Sequence, residues 1–349
     1  MNLLIMVVIS YILNIAFLNY RGDDKMVIPT FLKDNDTIGV TACSCGVLDK
    51  IVDYEKSLEI FNSYKLQIKE TDNVRSSGVV SSSAQKRALE LQELIEDNNV
   101  NMIAIASGGD FLLDMLPMVD FNVIKNNPKW IGGSSDPTSL LYIVTTRYDI
   151  ATIYTPCNMS GFNIWPLHDA YKNYFKIIKG DLVKQYKFLY CEEKAFSDKL
   201  TLPNKWLNLN GNVCEEGILI GGCIECLKDI IGTTYDATQQ FLEKYKDDGF
   251  IWYFDVFAMT SESLYNTLIQ FKMAGWFTYT KAILIGKVAF ANSFCQVSYE
   301  EMIKRALADL NIKIIYKFDV GHVKPSFTMI NGMKARVISN DEESSLEYI

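Results

Sequence analysis

The chain reads MIAIA at residues 102–106 and passes directly into the glycine turn Ser107-Gly108-Gly109-Asp110. A second apolar run, at residues 129–132, passes in the same way into the turn Gly133-Ser134-Ser135-Asp136. Around both runs, short apolar segments alternate with stretches of helical spacing, which predicts a parallel sheet covered by helices on its two faces. Ligands of such sheets bind beyond the carboxyl ends of the strands, so both turns are expected to face one crevice.

The same alternation continues on either side of these turns. Further strands are predicted at residues 37–40, 66–68, 152–154, 218–220, 251–254, 282–285 and 312–318. Helices are predicted at residues 51–64, after the serines at 81–83, and at 111–118, 137–146, 225–231, 261–274 and 299–310. Residues 157–212 are irregular and are expected to form a long connection with some helix. The pattern is therefore typical of an α/β protein with a second periodic region after the connection.

We expect two domains, because 349 residues exceed the usual size of one hydrophobic core. The first comprises residues 27–160 and the second residues 213–349, with a connector at 161–212. Residues 1–25 form an extension whose apolar run, Leu3–Leu18, is short for a membrane span and is not preceded by the basic residues of a signal peptide. It is a misplaced start before Met26, an anchor or uncleaved signal, or a packed helix. A membrane is expected as a partner only if this segment is real.

Composition argues against several function classes. The net charge of −8, without any basic run, disfavours a nucleic-acid partner. Eight cysteines are few for a disulfide scaffold of this length. The pair Cys223-x-x-Cys226 has no second pair beside it, and two histidines are too few to complete a zinc site. We expect reduced, mostly structural thiols, no metal and a cytoplasmic protein.

The serine turn has two interpretations. A serine between a strand and a helix lies where free backbone N–H groups can stabilise an oxyanion. Gly133-x-Ser135 resembles the first half of a nucleophile elbow, but Pro137 replaces the last glycine of that motif, which disfavours a standard α/β-hydrolase. On the turn alone, a nucleophile and a plain helix cap both remain open.

A serine nucleophile usually needs a histidine base and a carboxylate that orients it. His168 and His322 are the two histidines of the chain. His322 follows a predicted strand on a loop with a glycine, a position suited to a cleft, whereas His168 lies in the irregular connection. Asp255 ends an apolar strand and is the first candidate acid, although it is equally well explained as a boundary residue. Glu262 is second, because it fits a charge in the first turn of a helix.

Several short motifs follow one another along the chain. They are Ile28-Pro29-x-Phe31-Leu32-Lys33-x-x-Asp36-Thr37-Ile38-Gly39-Val40, the Gly108-Gly109 loop after a strand, Leu116-Pro117-x-x-Asp120-Phe121, Pro128-Lys129-x-x-Gly132-x-Ser134-Ser135-Asp136-x-Thr138, Gly217-x-Leu219-Ile220-Gly221-Gly222 with Gly232-Thr233, the strand ending at Asp255, and Gly321-His322-x-x-Pro325. In this order, over roughly residues 27–335, they resemble the LD-carboxypeptidase family of serine peptidases, which includes microcin-immunity hydrolases. Each motif alone is weak, but the ordered set is specific.

The resemblance implies a flavodoxin-like, parallel-sheet N-terminal domain that carries the nucleophile, and a smaller α/β C-terminal domain that supplies the acid and the histidine. Ser135, Asp255 and His322 would then form a Ser-His-acid triad, with the backbone N–H groups of Gly109 and Asp136 as the oxyanion hole. Family members trim D-alanine from an L,D-linked murein peptide or cleave a peptidyl-nucleotide antibiotic. They need no metal or cofactor, act in the cytoplasm and are often homodimers, so we expect a homodimer here.

The sequence departs from the family pattern in places that bear on function. Ser107 replaces the usual arginine and Asp110 a small or aromatic residue, which puts substrate choice in question more than reaction type. Ser134 replaces a frequent tyrosine. A branch of the family carries serine at the first position and Tyr-x-Pro after the next strand, like Tyr154-Thr155-Pro156. Asp255 replaces the usual glutamate and is one methylene shorter. A misplacement of about 1 Å can cost roughly 10²-fold in rate.

These observations favour a serine carboxypeptidase-type hydrolase. The alternative is a catalytically weak relative that binds and sequesters peptide or nucleotide conjugates, and the short acid favours it. A third possibility is a flavodoxin-like module whose Ser107-Gly108-Gly109 turn cradles a phosphate. That turn is too short for a Rossmann fingerprint or a P-loop, which argues against the third function.

Overall fold

A computed structural model describes residues 25–163 and 168–349 of the chain. In the first part, strands and helices alternate as predicted. The elements are β1 (Thr37–Thr41), α1 (Ile51–Ser63), β2 (Gln67–Glu70), α2 (Ala84–Glu96), β3 (Met102–Ile105), α3 (Phe121–Asn126), β4 (Trp130–Gly133), α4 (Thr138–Tyr148) and β5 (Thr152–Tyr154). Strands β2, β1, β3, β4 and β5 lie in this order and pair in parallel, so their carboxyl ends share one edge of the sheet.

One predicted helix of this part is wrong in type. Residues 111–118 were expected to form a helix after the glycine turn, but Leu113–Met118 is a 3₁₀ helix. Pro117 lies inside it and has no N–H to donate, and its ring clashes with the carbonyl one α-helical turn earlier. Tight i→i+3 turns of this kind are short, and the chain starts again as an α-helix at α3.

The second part is built on a larger, mixed sheet. Its elements are α5 (Asp169–Ile178), β6 (Gln185–Tyr186), β7 (Tyr190–Glu192), β8 (Leu200–Pro203), β9 (Leu207–Asn208), β10 (Val213–Cys223), α6 (Ile224–Ile230), α7 (Thr238–Lys244), β11 (Phe250–Asp255), α8 (Ser261–Met273), β12 (Thr280–Gly286), α9 (Tyr299–Leu307), β13 (Lys313–Phe318), β14 (Met329–Asn331), β15 (Lys334–Ser339) and β16 (Ser344–Tyr348). Strands β10 to β13 are the parallel centre, and antiparallel strands extend it on both sides in the order β6-β16-β15-β10-β11-β12-β13-β9. The expected helix of the irregular connection is α5.

The chain crosses back from the second part to the first at β14. This strand pairs antiparallel with β5, with Met329 opposite Tyr154, and so forms the edge of the first sheet. A single cluster of buried apolar side chains extends across both sheets, from Ile103 in β3 to Leu284 in β12. The two sheets are therefore joined by both a strand and a common core.

The apolar extension predicted at residues 1–25 lies outside the described residues, except for Lys25. Within the part that the structure describes, no helix has the length and apolar character that crossing a membrane requires. The domain boundaries drawn from the sequence remain predictions.

Candidate active site

The carboxyl ends of strands from both sheets meet at one cavity of about 800 Å³. Both glycine-containing turns, 107–110 and 133–136, contribute to its wall, as the sequence predicts. Ser135, Asp255 and His322 also line it, although they lie far apart in the chain. A cavity of this size suits a small peptide or a similar ligand.

Ser135 occupies the turn between β4 and α4 in an unusual backbone conformation. Its φ of 67° is left-handed, which is uncommon for a residue with a side chain and is typical of strained functional turns. The side chain of Asn158 binds both backbone polar groups of the preceding residue. Its Oδ1 accepts from Ser134 N and its Nδ2 donates to Ser134 O, each at 2.9 Å. Thr138 N donates to Ser135 O at 2.9 Å, which joins the turn to the start of α4. The strained turn is therefore fixed by bonds on both sides of Ser135.

The two predicted oxyanion donors lie beside this turn. Neither Gly109 N nor Asp136 N donates to another residue in the described part of the chain, so both N–H groups are free to bind a ligand oxygen. Position 109 must be glycine, because a Cβ there would lie 2.3 Å from Ser44 Oγ. The Asp136 carboxylate is buried and accepts from Ser44 Oγ at 2.5 Å and Leu112 N at 3.0 Å. Burial raises the pKa of Asp136, although these hydrogen bonds counteract it.

Asp255 and His322 are in direct contact. Asp255 is fully buried at the end of β11, and its two oxygens lie 3.0 and 2.8 Å from His322 Nδ1. The His322 backbone N–H also donates to Asp255 Oδ1 at 3.2 Å. Burial alone would lower the pKa of His322, but the charge and hydrogen bond of Asp255 raise it above its ordinary value. Conversely, burial would raise the pKa of Asp255, and the charge of His322 brings it below its ordinary value.

The structure does not bring all the candidates into bonding contact. Within residues 25–163 and 168–349, no hydrogen bond joins Ser135 Oγ to the His322 ring. Glu262 lies away from the cavity, where its carboxylate accepts from Ser293 Oγ at 2.8 Å and Cys295 N at 2.7 Å. His168 caps α5 by accepting from Ala170 N at 3.1 Å. Glu262 and His168 therefore have structural roles.

Comparison with known proteins gives this arrangement a family. Residues 38–155 match the model of the LD-carboxypeptidase N-terminal domain, and residues 216–337 match that of the LD-carboxypeptidase C-terminal domain. The chain belongs to the LD-carboxypeptidase family. The family predicted from the ordered motifs is thus confirmed, and membership supports a peptidase activity.

Three curated relatives are similar over most of the chain. A putative carboxypeptidase of Vibrio cholerae is 26% identical over 76% of this chain and 81% of the relative. A probable murein peptide carboxypeptidase of Bacillus subtilis is 23% identical over 95% of both chains. The microcin C7 self-immunity protein of Escherichia coli is 25% identical over 76% of this chain and 79% of its own length.

Solved structures agree with the fold. The wild-type apo structure of the microcin C7 self-immunity protein has a TM-score of 0.80 at 21% identity, covering 93% of this chain and 98% of that one. A related protein from Bacillus anthracis has a TM-score of 0.75 at 22% identity, covering 93% and 99%. The predicted α/β class, with a flavodoxin-like first part and a second α/β part, is confirmed.

Several site residues of this LD-carboxypeptidase family member were not recognised from its sequence. Ser44, Asn158 and Glu225 fix the loops around the cavity. Glu225 Oε1, for instance, accepts from three consecutive backbone N–H groups at 257–259, directly after Asp255. Ser44 lies 92 residues from its partner Asp136, and no local pattern marks such a pair. Tyr154 was visible only as part of the Tyr-x-Pro match.

The cysteine pair at the cavity wall has the character of buried thiols. All eight cysteines are free. Hydrogen bonding to Cys226, together with burial, raises the pKa of Cys223 well above its ordinary value. Cys226 Sγ contacts Ser135 O at 3.7 Å. Among the described residues, no three His, Cys, Asp or Glu side chains are grouped so that they could hold a metal ion.

Proposed function

We propose that the chain is a serine-type carboxypeptidase that cleaves an amide bond in a murein-derived L,D-peptide or in a peptidyl- or aminoacyl-nucleotide antibiotic. The observation that carries the proposal is the contact between Asp255 and His322 inside the cavity that Ser135 lines. The relatives' names, a murein peptide carboxypeptidase and a microcin self-immunity protein, supply the two substrate classes.

Each group has a defined role in the reaction. His322 Nε2 takes the Ser135 hydroxyl proton while Oγ attacks the scissile carbonyl carbon. The carbonyl oxygen becomes negative and accepts from the N–H groups of Gly109 and Asp136. His322 then gives the proton to the leaving amine, and the C–N bond breaks to leave an acyl-enzyme, which water hydrolyses by the same steps. Asp255 remains ionised, holds the imidazole by Nδ1 and stabilises its charged form.

The missing bond between Ser135 and His322 is compatible with this mechanism. Catalytic hydrogen bonds are often long in ligand-free enzymes and shorten when substrate binds. The centroid of the Phe257 ring lies 4.6 Å from that of the His322 imidazole, and this contact limits how far the imidazole can turn.

A second candidate is a binding protein that sequesters such conjugates without turning them over. It is favoured by a different observation: among the described residues, no hydrogen bond joins the nucleophile Ser135 to the base His322. Asp255 is also one methylene shorter than the glutamate usual at this position, so its shorter reach determines where the imidazole can lie.

One assay separates the two functions. The protein is incubated with an L,D-linked tetrapeptide and a panel of aminoacyl-nucleotide conjugates, and products are measured by mass spectrometry. Turnover should fall to background in Ser135→Ala and His322→Ala, because the nucleophile or base is lost. Glu262→Gln is the control for Asp255→Asn, and only the latter should lose most activity. Tight binding without turnover by the unaltered protein would favour sequestration.

A further inference from the structure

Tyr154 joins the acid of the site to the backbone of its serine. It is the last residue of β5 in the first sheet, and it is 1% exposed. Its hydroxyl lies 2.5 Å from Asp255 Oδ2, at the end of a strand of the second sheet, and 3.0 Å from Ser135 N. The hydroxyl oxygen of Tyr154 thus contacts both the candidate acid, Asp255, and the candidate nucleophile, Ser135.

The chemistry of the three groups fixes the direction of both bonds. An ionised carboxylate only accepts and a backbone N–H only donates. The hydroxyl must therefore donate its proton to Asp255 and accept the N–H of Ser135. Burial and the nearby Asp255 charge raise the pKa of Tyr154 well above its ordinary value, so it keeps the proton that it donates.

On the Asp255 side, the bond limits the freedom of the carboxylate. Oδ1 accepts from the His322 backbone N–H, and Oδ2 accepts from Tyr154, so the carboxylate is held at both oxygens while Nδ1 of His322 lies against it. On the Ser135 side, the bond holds the left-handed residue and occupies its N–H. That N–H is therefore not available to a substrate oxygen.

We infer that Tyr154 is a positioning residue, whose hydroxyl sets the orientation of Asp255, and through it of His322, relative to Ser135. This inference rests on the proposed serine mechanism. Tyr154 lies at the cavity wall, but its hydroxyl is occupied by Asp255 and by Ser135 N, and it takes no part in the proton transfer. Its loss should therefore slow the chemical step far more than it weakens substrate binding.

The test compares two tyrosines that lose the same atom. Tyr154→Phe removes the bridging hydroxyl. Tyr253→Phe removes a fully buried hydroxyl that donates to Asn331 Oδ1 at 2.7 Å and, among the described residues, makes no hydrogen bond to Asp255 or Ser135. Tyr154→Phe should lower kcat by about 10- to 100-fold, the size expected for a hydrogen bond to a charged group, with KM changed less than about twofold. Tyr253→Phe should leave both constants near those of the unaltered protein.

The titration of His322 is a second readout that a merely structural role would not move. Without the donor from Tyr154, the charge of Asp255 acts more fully on the imidazole, so the pKa of His322 should rise in Tyr154→Phe and stay constant in Tyr253→Phe. Histidine NMR measures this without substrate. If Tyr154→Phe does not fold, 3-fluorotyrosine at position 154, a stronger donor, should lower the pKa of His322 instead.

The outcomes distinguish this inference from the proposed function. Loss of activity in Ser135→Ala with unchanged kcat and unchanged His322 titration in Tyr154→Phe would overturn the role of Tyr154 alone. Full activity in Ser135→Ala would overturn the serine mechanism. An equal effect of Tyr253→Phe on kcat and on the titration would also overturn the inference, since any buried hydroxyl would then suffice.

Discussion

The pair of His322 and Asp255 determines how activity depends on pH. The pKa of His322 is raised above 6.5, because the Asp255 charge outweighs the effect of burial. A general base acts in its neutral form, so kcat/KM should rise with pH through a midpoint above 6.5. In Asp255→Asn the charge is lost and burial remains, so the pKa of His322 should fall below 6.5. His168, whose pKa burial lowers, should not move.

Two histidines make this measurement direct, since each gives one Hε1 resonance in a proton NMR titration. His168 is an internal control, and Glu262→Gln is the matched control for the loss of a carboxylate. A His322 midpoint below 6.5 in the unaltered protein would contradict the electrostatic description of the pair.

At the level of residues, the sequence was informative where chemistry-bearing side chains follow apolar strands. Ser135 and Asp255 were singled out for that reason, and the structure places both in one cavity with His322. Their roles in catalysis remain predictions. The roles of Tyr154 and Asn158 could not be predicted, because a buried tyrosine and a loop asparagine are ordinary and their partners become neighbours only after folding.

Among the elements, the loop between β13 and β14 carries a testable steric requirement at Gly321. Its φ is 109°, and a Cβ there would lie 2.1 Å from Asp255 Oδ1. Gly321→Ala should therefore add overpacking of about 1–3 kcal/mol to the roughly 1–2 kcal/mol that left-handed backbone costs an alanine. The free energy of unfolding in urea should fall by the sum, and kcat/KM should fall at least 10-fold as the acid shifts.

Gly232 is the matched control for this substitution. It also has a positive φ, of 80°, but a Cβ there would meet nothing within 4 Å. Gly232→Ala should therefore show the backbone effect alone and retain activity. Equal losses in the two variants would mean that contact with Asp255 contributes nothing.

The elements themselves were predicted unequally from the sequence. Parallel strands such as β3 and β11 are continuous apolar runs because both of their faces are buried, and this pattern is local. The short strands β6 and β9, of two residues each, exist only through pairing with β16 and β13. No two-residue sequence specifies such a pairing. β15 alternates between buried and partly exposed positions and would have been recognisable as a strand.

At the scale of the whole molecule, strand β14 connects the two sheets. It follows His322 in the chain and pairs with β5, which ends at Tyr154, so the position of the histidine loop depends on the first sheet. Cys223 N also donates to Thr138 Oγ1 at 2.9 Å, which joins β10 to α4 directly behind Ser135. The site is thus assembled between two sheets that hold each other in place, and both sheets should unfold together.

Asn331, the last residue of β14, allows this cooperativity to be tested. Its Oδ1 is buried and accepts from Gly221 N at 3.0 Å and Tyr253 Oη at 2.7 Å, while its Nδ2 lies 3.4 Å from Thr152 Oγ1 of the first sheet. Asn331→Ala leaves two buried donors unpaired, each costing about 1–3 kcal/mol. The free energy of unfolding should fall by roughly 2–6 kcal/mol, whereas Asn98→Ala, at an exposed position, should change little.

Calorimetry distinguishes one cooperative unit from two. If both sheets unfold together, the unaltered protein shows one transition whose calorimetric and van't Hoff enthalpies agree. Asn331→Ala then shifts that single transition to lower temperature as a whole, because the lost bonds belong to both sheets. Two separated transitions, with only one of them moved by Asn331→Ala, would mean that the sheets are independent. In that case the cavity between them would open before either sheet unfolds, and activity would disappear at the lower transition.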